Sequence, residues 1–374
     1  MEVKLGDIFE IGSGGTPSKR HPEYYDGNIP WVKTGDLKTT YLYNVEDFIT
    51  EDGLSNSSVK MYEPNTVLIA MYGATIGAAS ILKINACTNQ ACAAFKPNDK
   101  VKPEYLYYFL RSKRNKFVKD GVGGAQPNIS VGYLKKVSME LPEIKEQDEI
   151  VNILDKVSDV VEMRTKEIEN LDELIKARFV EMFGDPVVNE KGWLTKPLLD
   201  MGQCKNGMNF HYDDEGVEIN CLGVGDFKDL SIIDNTDKLP IVSLNEMPSE
   251  EYLLKDDDIV FVRSNGNKAL VGRSIAVYPG DVPTTFSGFC IRYRKHDNEI
   301  TVPYLLRVLK ADSMRGKMTG RGANIQNLNQ QILGTLVIPV PPMELQEQFA
   351  DFVKQVDKSK VAAINTRHYS VKIY

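Results

Sequence analysis

From Glu143 to Phe183 one simple pattern repeats. Apolar side chains fall at Ile150, Ile153, Val157, Val160, Ile168, Leu171, Ile175 and Phe179, in steps of three and four interrupted where Arg164 takes a seam position. That spacing predicts an amphipathic helix with a coiled-coil-like stripe. Pro142 suits its entry, and Gly184-Asp185-Pro186 suits its end. About 40 residues at 1.5 Å each make a rod of about 60 Å. A second stripe, Leu345, Phe349, Phe352 and Val356, follows Pro341-Pro342 and loses regularity near Thr366. It predicts a distal helix of about 22 residues, from about Pro342 to Ala363, which reads as truncated. Ile150, Ile153 and Val157 on the first stripe, and Phe349, Phe352 and Val356 on the second, are the candidate partner-helix positions.

The remaining pattern is mixed. VLIAMYG (67–73) and DIVFVRS (258–264) are short apolar strand candidates, each followed by a glycine-containing loop. YLYYFLRSKRNKFV (105–118) and YLLRVLKADSMRGKM (304–318) read as helices that are basic on one face. LKKVSMELP (134–142) and LGTLVIPVP (333–341) alternate as strands, and each leads through proline into a long helix.

These pairs of elements are copies. Setting residue i beside residue i + 199 puts Tyr105-Leu106 on Tyr304-Leu305, Gly123 on Gly322 and Asn128 on Asn327. It also puts Leu134 on Leu333, Pro142 on Pro341, Gln147 on Gln346 and Val157 on Val356. Chance does not readily hold a Gly, an Asn, a Pro and a Gln in register with a matching apolar pattern, so the chain reads as a tandem duplication. Upstream the copies match weakly. The fold class expected is α+β, with two mixed α/β domains joined by long helices in an antiparallel coiled-coil pair. The segments are 1–142, 143–183, 184–340 and 341–374.

Composition narrows the class. The chain has 374 residues, 42% hydrophobic and 26% charged, as ordinary globular chains do. It has no run approaching the roughly 18 apolar residues of a membrane span, and MEVKLGDIFEIG is not a secretory signal. Five cysteines without a CxxC argue against a disulfide framework and fit the cytoplasm. Four scattered histidines argue against zinc. Net charge is -7, which taken alone argues against a nucleic-acid partner. The acid is concentrated, however: residues 143–183 hold 12 acidic and 6 basic side chains. Residues 102–119 hold 6 basic against 1 acidic, and residues 263–321 hold 11 against 4. Ordinary solvated surface and two basic DNA faces both fit that distribution.

The candidate chemistry is hydrogen bonding, not catalysis. No [DN]PP[YF], GxSxG or HExxH occurs. IGSGGTPSKR lacks the spacing of a P-loop or a dinucleotide fingerprint. It reads either as a tight turn or as a DNA-backbone contact with Thr16, Ser18, Lys19 and Arg20 as donors. MYGATIG (71–77), with Tyr72 and Thr75, and RSNGNKALVG (263–272) take matching places after a strand. Arg263, Asn265, Asn267 and Lys268 suit base edges, Arg favouring guanine and Asn adenine, or else a polar hairpin. GGAQPNIS (123–130) and RGANIQNLN (321–329) suit ordered turns that bond their own backbone, and also a strand-entry loop on the DNA face. Lys33 and Arg321 complete the candidate DNA-binding set.

Taken in order, GGTPSKR, YYDGNIPWVKTGDL, TNQACAAFKP, GGAQPNIS, LPEIKEQDEIVNILDKV and LDELIKARFVEMFGDP resemble the specificity (S) subunit of type I restriction–modification systems. The resemblance spans about residues 4–360. It implies two target-recognition domains separated by conserved central and distal helices arranged with pseudo-twofold symmetry. It implies one half-site of a bipartite double-stranded DNA target per domain. It also implies docking of two methyltransferase subunits and of restriction/translocase subunits, with self-association through the helices as a further partnership. The chain itself would carry no active site, and S-adenosylmethionine, ATP and Mg would sit on the partner subunits. The competing expectation is a coiled-coil scaffold with two lobes and no DNA.

Overall fold

The strand Val67–Ala70 is buried at all four residues, which explains its unbroken apolar run. Val67 and Ile69 face a core shared with the helices of the first lobe, while Leu68 and Ala70 face a second core on the other side. In the computed structural model this strand lies near the middle of a five-stranded sheet. The order is Ile11–Ser13, Cys92–Phe95, Val67–Ala70, Ala79–Leu82 and Tyr41–Leu42, antiparallel except for the last pair. A smaller sheet holds Phe48–Ile49, Tyr25–Val32, Ala86–Thr88 and Met61–Tyr62. The structure describes residues 1–121, 128–210, 215–227, 231–296, 298–319 and 327–373, with side chains to 370.

The second lobe repeats the plan. Its five-stranded sheet runs Gly202–Asn206, Cys290–Lys295, Asp258–Val262, Ser274–Val277 and Ile232–Ile233, again with only the last pair parallel. Ile241–Leu244, Val217–Leu222 and Thr284–Phe286 form the smaller sheet. In each lobe the first strand pairs with the strand that precedes the long helix. Glu2–Lys4 pairs with Ser138–Glu140, and Thr195–Pro197 pairs with Val337–Pro339. Those second strands are shorter than their alternating pattern predicts. Leu134 and Leu333 instead belong to the short helices Val131–Leu134 and Gln330–Gly334, whose first turns are capped by Ser130 and Asn329. The basic segments are helical in two pieces each, Pro103–Ser112 with Arg114–Asp120 and Val302–Lys310 with Asp312–Thr319.

The central helix spans Ile144–Phe183, 40 residues. It stops at Gly184, whose φ of +76° a side chain would disfavour and whose N–H closes on Val180 O. The distal helix spans Met343–Ile373, 31 residues, so it continues past Thr366 where the stripe loses regularity. Before that point the seam is carried by Lys360, a buried residue whose Nζ lies 2.6 Å from Asp172 Oδ1, and by Ala363, neither of which belongs to the simple apolar stripe. None of the described helices is long and apolar enough to cross a membrane.

Two compact units divide the chain, residues 1–163 with 366–374 and residues 164–365. Within the first, Val151 and Leu154 of the central helix pack on the first lobe's core. Within the second, Ile175, Phe179 and Phe183 enter the second lobe's core beside Phe349 and Val356. Phe349 meets the rings of Phe179 and Phe183, while Lys360 meets Asp172, so the two helices run antiparallel there.

One polar residue repeats at each helix start. Gln147 is fully buried; its side-chain oxygen accepts from Lys102 N at 2.9 Å, and its amide donates to Lys100 O at 2.9 Å and Pro142 O at 3.0 Å. Gln346, also fully buried, makes the same three bonds with Thr301 N (2.8 Å), Glu299 O (3.0 Å) and Pro341 O (2.8 Å). Each glutamine therefore ties a lobe helix to the long helix that follows it.

Candidate nucleic-acid interface

At one end of the first lobe's large sheet, four segments meet at the turn Asn89–Ala91. Gly15 N donates to Thr88 O (2.9 Å), Asn89 N to Val32 O (2.9 Å), Met71 N to Ala91 O (2.8 Å) and Ile129 N to Met71 O (3.0 Å). The glycines of IGSGG serve this close approach. A Cβ on Gly14 would fall 1.8 Å from Thr88 O, and one on Gly15 would fall 2.4 Å from Ser58 Oγ. The N–H of Gly15 is therefore spent on the fold, as the turn reading of this loop expects.

Around that turn lie the predicted side chains of the first half. The hydroxyl of Thr16 donates to Gln90 Oε1. Tyr72 bridges to Asn128 and is 43% exposed. The Thr75 hydroxyl donates to Tyr72 O at 3.2 Å, closing the turn Gly73–Thr75. Lys33 follows Val32, with its Nζ 2.6 Å from Asp47 Oδ1 and over the ring of Trp31. Ser18 accepts from Arg20 N, and Lys19 and Arg20 extend into solvent.

The second lobe builds the same frame. Arg263 N donates to Phe289 O (2.8 Å), Leu328 N to Arg263 O (2.8 Å) and Ser287 N to Leu222 O (2.9 Å). A Cβ on Gly207 would fall 2.1 Å from Ser287 O. Arg263 Nη1 donates to Gly288 O at 3.2 Å, so the guanidinium is held against the turn with donors left over for a ligand. Asn265 Oδ1 accepts from Asn267 N, and Asn267 Oδ1 accepts from Ala269 N. Both side-chain oxygens thus order their own loop, as the polar-hairpin reading expects. Lys268 is exposed at the start of the turn Lys268–Leu270, where Arg315 Nη2 donates to Ala269 O and Val271 O. Arg321 lies outside the described residues, as do 123–127 of one glycine-rich turn and 322–326 of the other.

The linear charge pattern overstated this face. Arg292 is 2% exposed, Arg294 makes a bidentate pair with buried Asp258, and Lys310 Nζ donates to Ser231 Oγ. Burial, with Lys360 and Arg307 nearby, pushes the Lys310 ammonium down to about 8. These cations support the second lobe from inside. Conversely, Gln90 and Phe289 sit on the two hairpin turns, and neither belongs to the candidate set read from the sequence.

On the helices, Phe349 and Val356 are buried, and Phe352 is half-buried against the second lobe's core. Ile150 and Val157 are half-buried, and Ile153 is 60% exposed.

The model of the type I restriction modification DNA specificity domain matches residues 1–173 and 190–372. The chain is 30% identical over 287 residues to the type I restriction enzyme MjaIX specificity subunit of Methanocaldococcus jannaschii, covering 70% of this chain and 65% of that one. It is 30% identical over 175 residues to the type I restriction enzyme EcoR124I/EcoR124II specificity subunit of Escherichia coli, covering 44% and 43%. The chain thus spans less than two thirds of either relative's length. In fold it is similar to the crystal structure of the type I restriction-modification system S subunit from M. genitalium, with a TM-score of 0.53 at 17% identity over 100% of this chain and 93% of that one. A duplicated α/β lobe, a long helix after each copy and a family match over both copies lead to one conclusion: the chain belongs to the type I restriction modification DNA specificity domain family.

Proposed function

We propose that the chain is the DNA-recognition subunit of a type I restriction–modification complex, reading one half-site of duplex DNA with each lobe. The observation that carries this reading is the frame built twice, a hairpin turn joined by backbone hydrogen bonds to a loop that displays polar side chains. Such a frame holds side chains still enough to read base edges. The chain contributes recognition and no catalysis. Two methyltransferase subunits and the restriction/translocase subunits dock on it, S-adenosylmethionine, ATP and Mg are held by those partners, and the complex works in the cytoplasm.

Arg263→Ala is expected to lose roughly 1–3 kcal/mol on the cognate target and to relax the base preference at one position. Lys268→Ala is expected to weaken all sequences alike and to lower the salt slope by about 1. Titrations of labelled duplex at several salt concentrations check both; unchanged binding in both variants would move the interface off this loop.

Exposed Ile153 belongs to the docking surface in this reading, since an apolar side chain left in solvent on a helix marks a partner contact when it recurs with others. Met163 is 61% exposed on the same helix. Ile153→Asp is expected to leave the melting profile of the chain unchanged and to reduce co-purification with the methyltransferase subunit at least tenfold. Normal assembly of the variant would remove this face from the interface.

A further inference from the structure

The two frames differ in where each displays its aromatic ring. In the first lobe, Met71 N bonds Ala91 O and Tyr72 bridges to Asn128; in the second, Arg263 N bonds Phe289 O and Ser264 bridges to Asn327. Ser264 thus takes the place of Tyr72, and Phe289 takes the place of Ala91. Tyr72 is 43% exposed and Phe289 is 62% exposed. Among the described residues each frame exposes an aromatic ring, in the first on the residue after Met71 and in the second across the strand pair, on the residue that bonds Arg263.

Single exposed apolar residues are common and need no explanation by themselves. Phe289 differs in how firmly it is presented. Its carbonyl accepts from both Arg263 N (2.8 Å) and Ser264 N (3.3 Å), and its N–H meets Ser287 Oγ at 3.3 Å. Arg263 Nη1 closes on the carbonyl of the preceding Gly288, where a Cβ would fall 2.0 Å from Asn209 Oδ1. The turn that carries the ring is therefore fixed, with the Arg263 guanidinium and the Asn209 amide both close to Gly288, the residue before it. A phenyl ring has no donor or acceptor, so it cannot read a hydrogen-bond pattern. The one apolar feature that a base edge offers in the major groove is the thymine methyl, and Arg and Asn are the side chains that read guanine and adenine beside it.

We infer that Phe289 is a specificity-determining residue of the second lobe and contacts the C5-methyl group of a thymine in that half-site. The inference rests on the proposed DNA-reading function. It requires a thymine, on either strand, in the half-site assigned to residues 184–340.

The test uses the full chain assembled with its methyltransferase subunits and the target found by methylome sequencing. Each thymine of the target is replaced in turn by deoxyuridine, which removes the methyl group and keeps the pairing. The unaltered complex should lose about fourfold in affinity at one position of the second half-site, the worth of one buried methyl. Phe289→Ala should bind the thymine target about that much more weakly and should no longer distinguish thymine from deoxyuridine there. Sensitivity in the first half-site should be unchanged. Equal sensitivity in the variant, an equal loss on both targets, or a second half-site without thymine would each overturn the inference while DNA reading stood. A complex that binds no duplex at all would instead remove the proposed function, and this inference with it.

Discussion

Gln147→Leu is expected to destabilise the first unit by about 3–5 kcal/mol and to leave the second nearly unchanged, because it strands Lys102 N, Lys100 O and Pro142 O around a side chain that is fully buried. Leaving one buried group unsatisfied costs about 1–3 kcal/mol. All four residues lie within the first unit. Gln346→Leu should do the same to the second unit through Thr301 N, Glu299 O and Pro341 O. Hydrogen exchange across a denaturant series resolves the two units. Each variant should lose protection at its own lobe-to-helix junction. A loss below about 1 kcal/mol in both would mean that water replaces the amide and the clamp is incidental.

Arg294→Met is expected to cost about 3–5 kcal/mol, the penalty for breaking a buried ion pair from one side. Asp258 is fully buried and accepts from Arg294 Nε and Nη2 at 2.7 Å each and from Lys255 N at 2.8 Å. It opens the strand Asp258–Val262, which delivers Arg263 to the frame. Asp258→Asn should cost at least as much, since it weakens the hold on Arg294 and removes the charge facing Arg292, whose Nε and Nη1 have no hydrogen-bond partner among the described residues. Chemical denaturation measures both losses. Discrimination in the second half-site should fall with them, while the first half-site is read as before. A cost near zero for Arg294→Met would show that Arg292 takes over the carboxylate.

The helices and the repeat were legible because packing against a neighbour demands an apolar period and because the copies there keep one offset. Gln147 and Gln346 stood out as matched residues, although their clamp became visible only in three dimensions. The likeness of the recognition parts was hidden by sliding offsets. Asp36 accepts from Lys33 N and Asp226 from Gly223 N in matching turns 190 positions apart, whereas Pro142 and Pro341 stand 199 apart. Insertions of a few residues in loops cost a fold little and erase a gapless alignment. The distal helix read short because none of the side chains from Ile364 to Ser370 is buried, and Asn365, His368 and Tyr369 are exposed, so no apolar period marks its last turns. The candidate site was half legible. Polar loops after strands pointed to segments that the structure joins to the two hairpin frames, but charge summed along the chain could not separate exposed Lys268 from Arg292, in the core.

The most direct test of bipartite reading exchanges residues 1–142 for the corresponding domain of another family member and sequences the methylome of a host carrying the chimaera with its methyltransferase subunits. One half of the methylated motif should change, with the other half and the spacing between them retained. A motif altered in both halves would contradict the assignment of one half-site to each lobe.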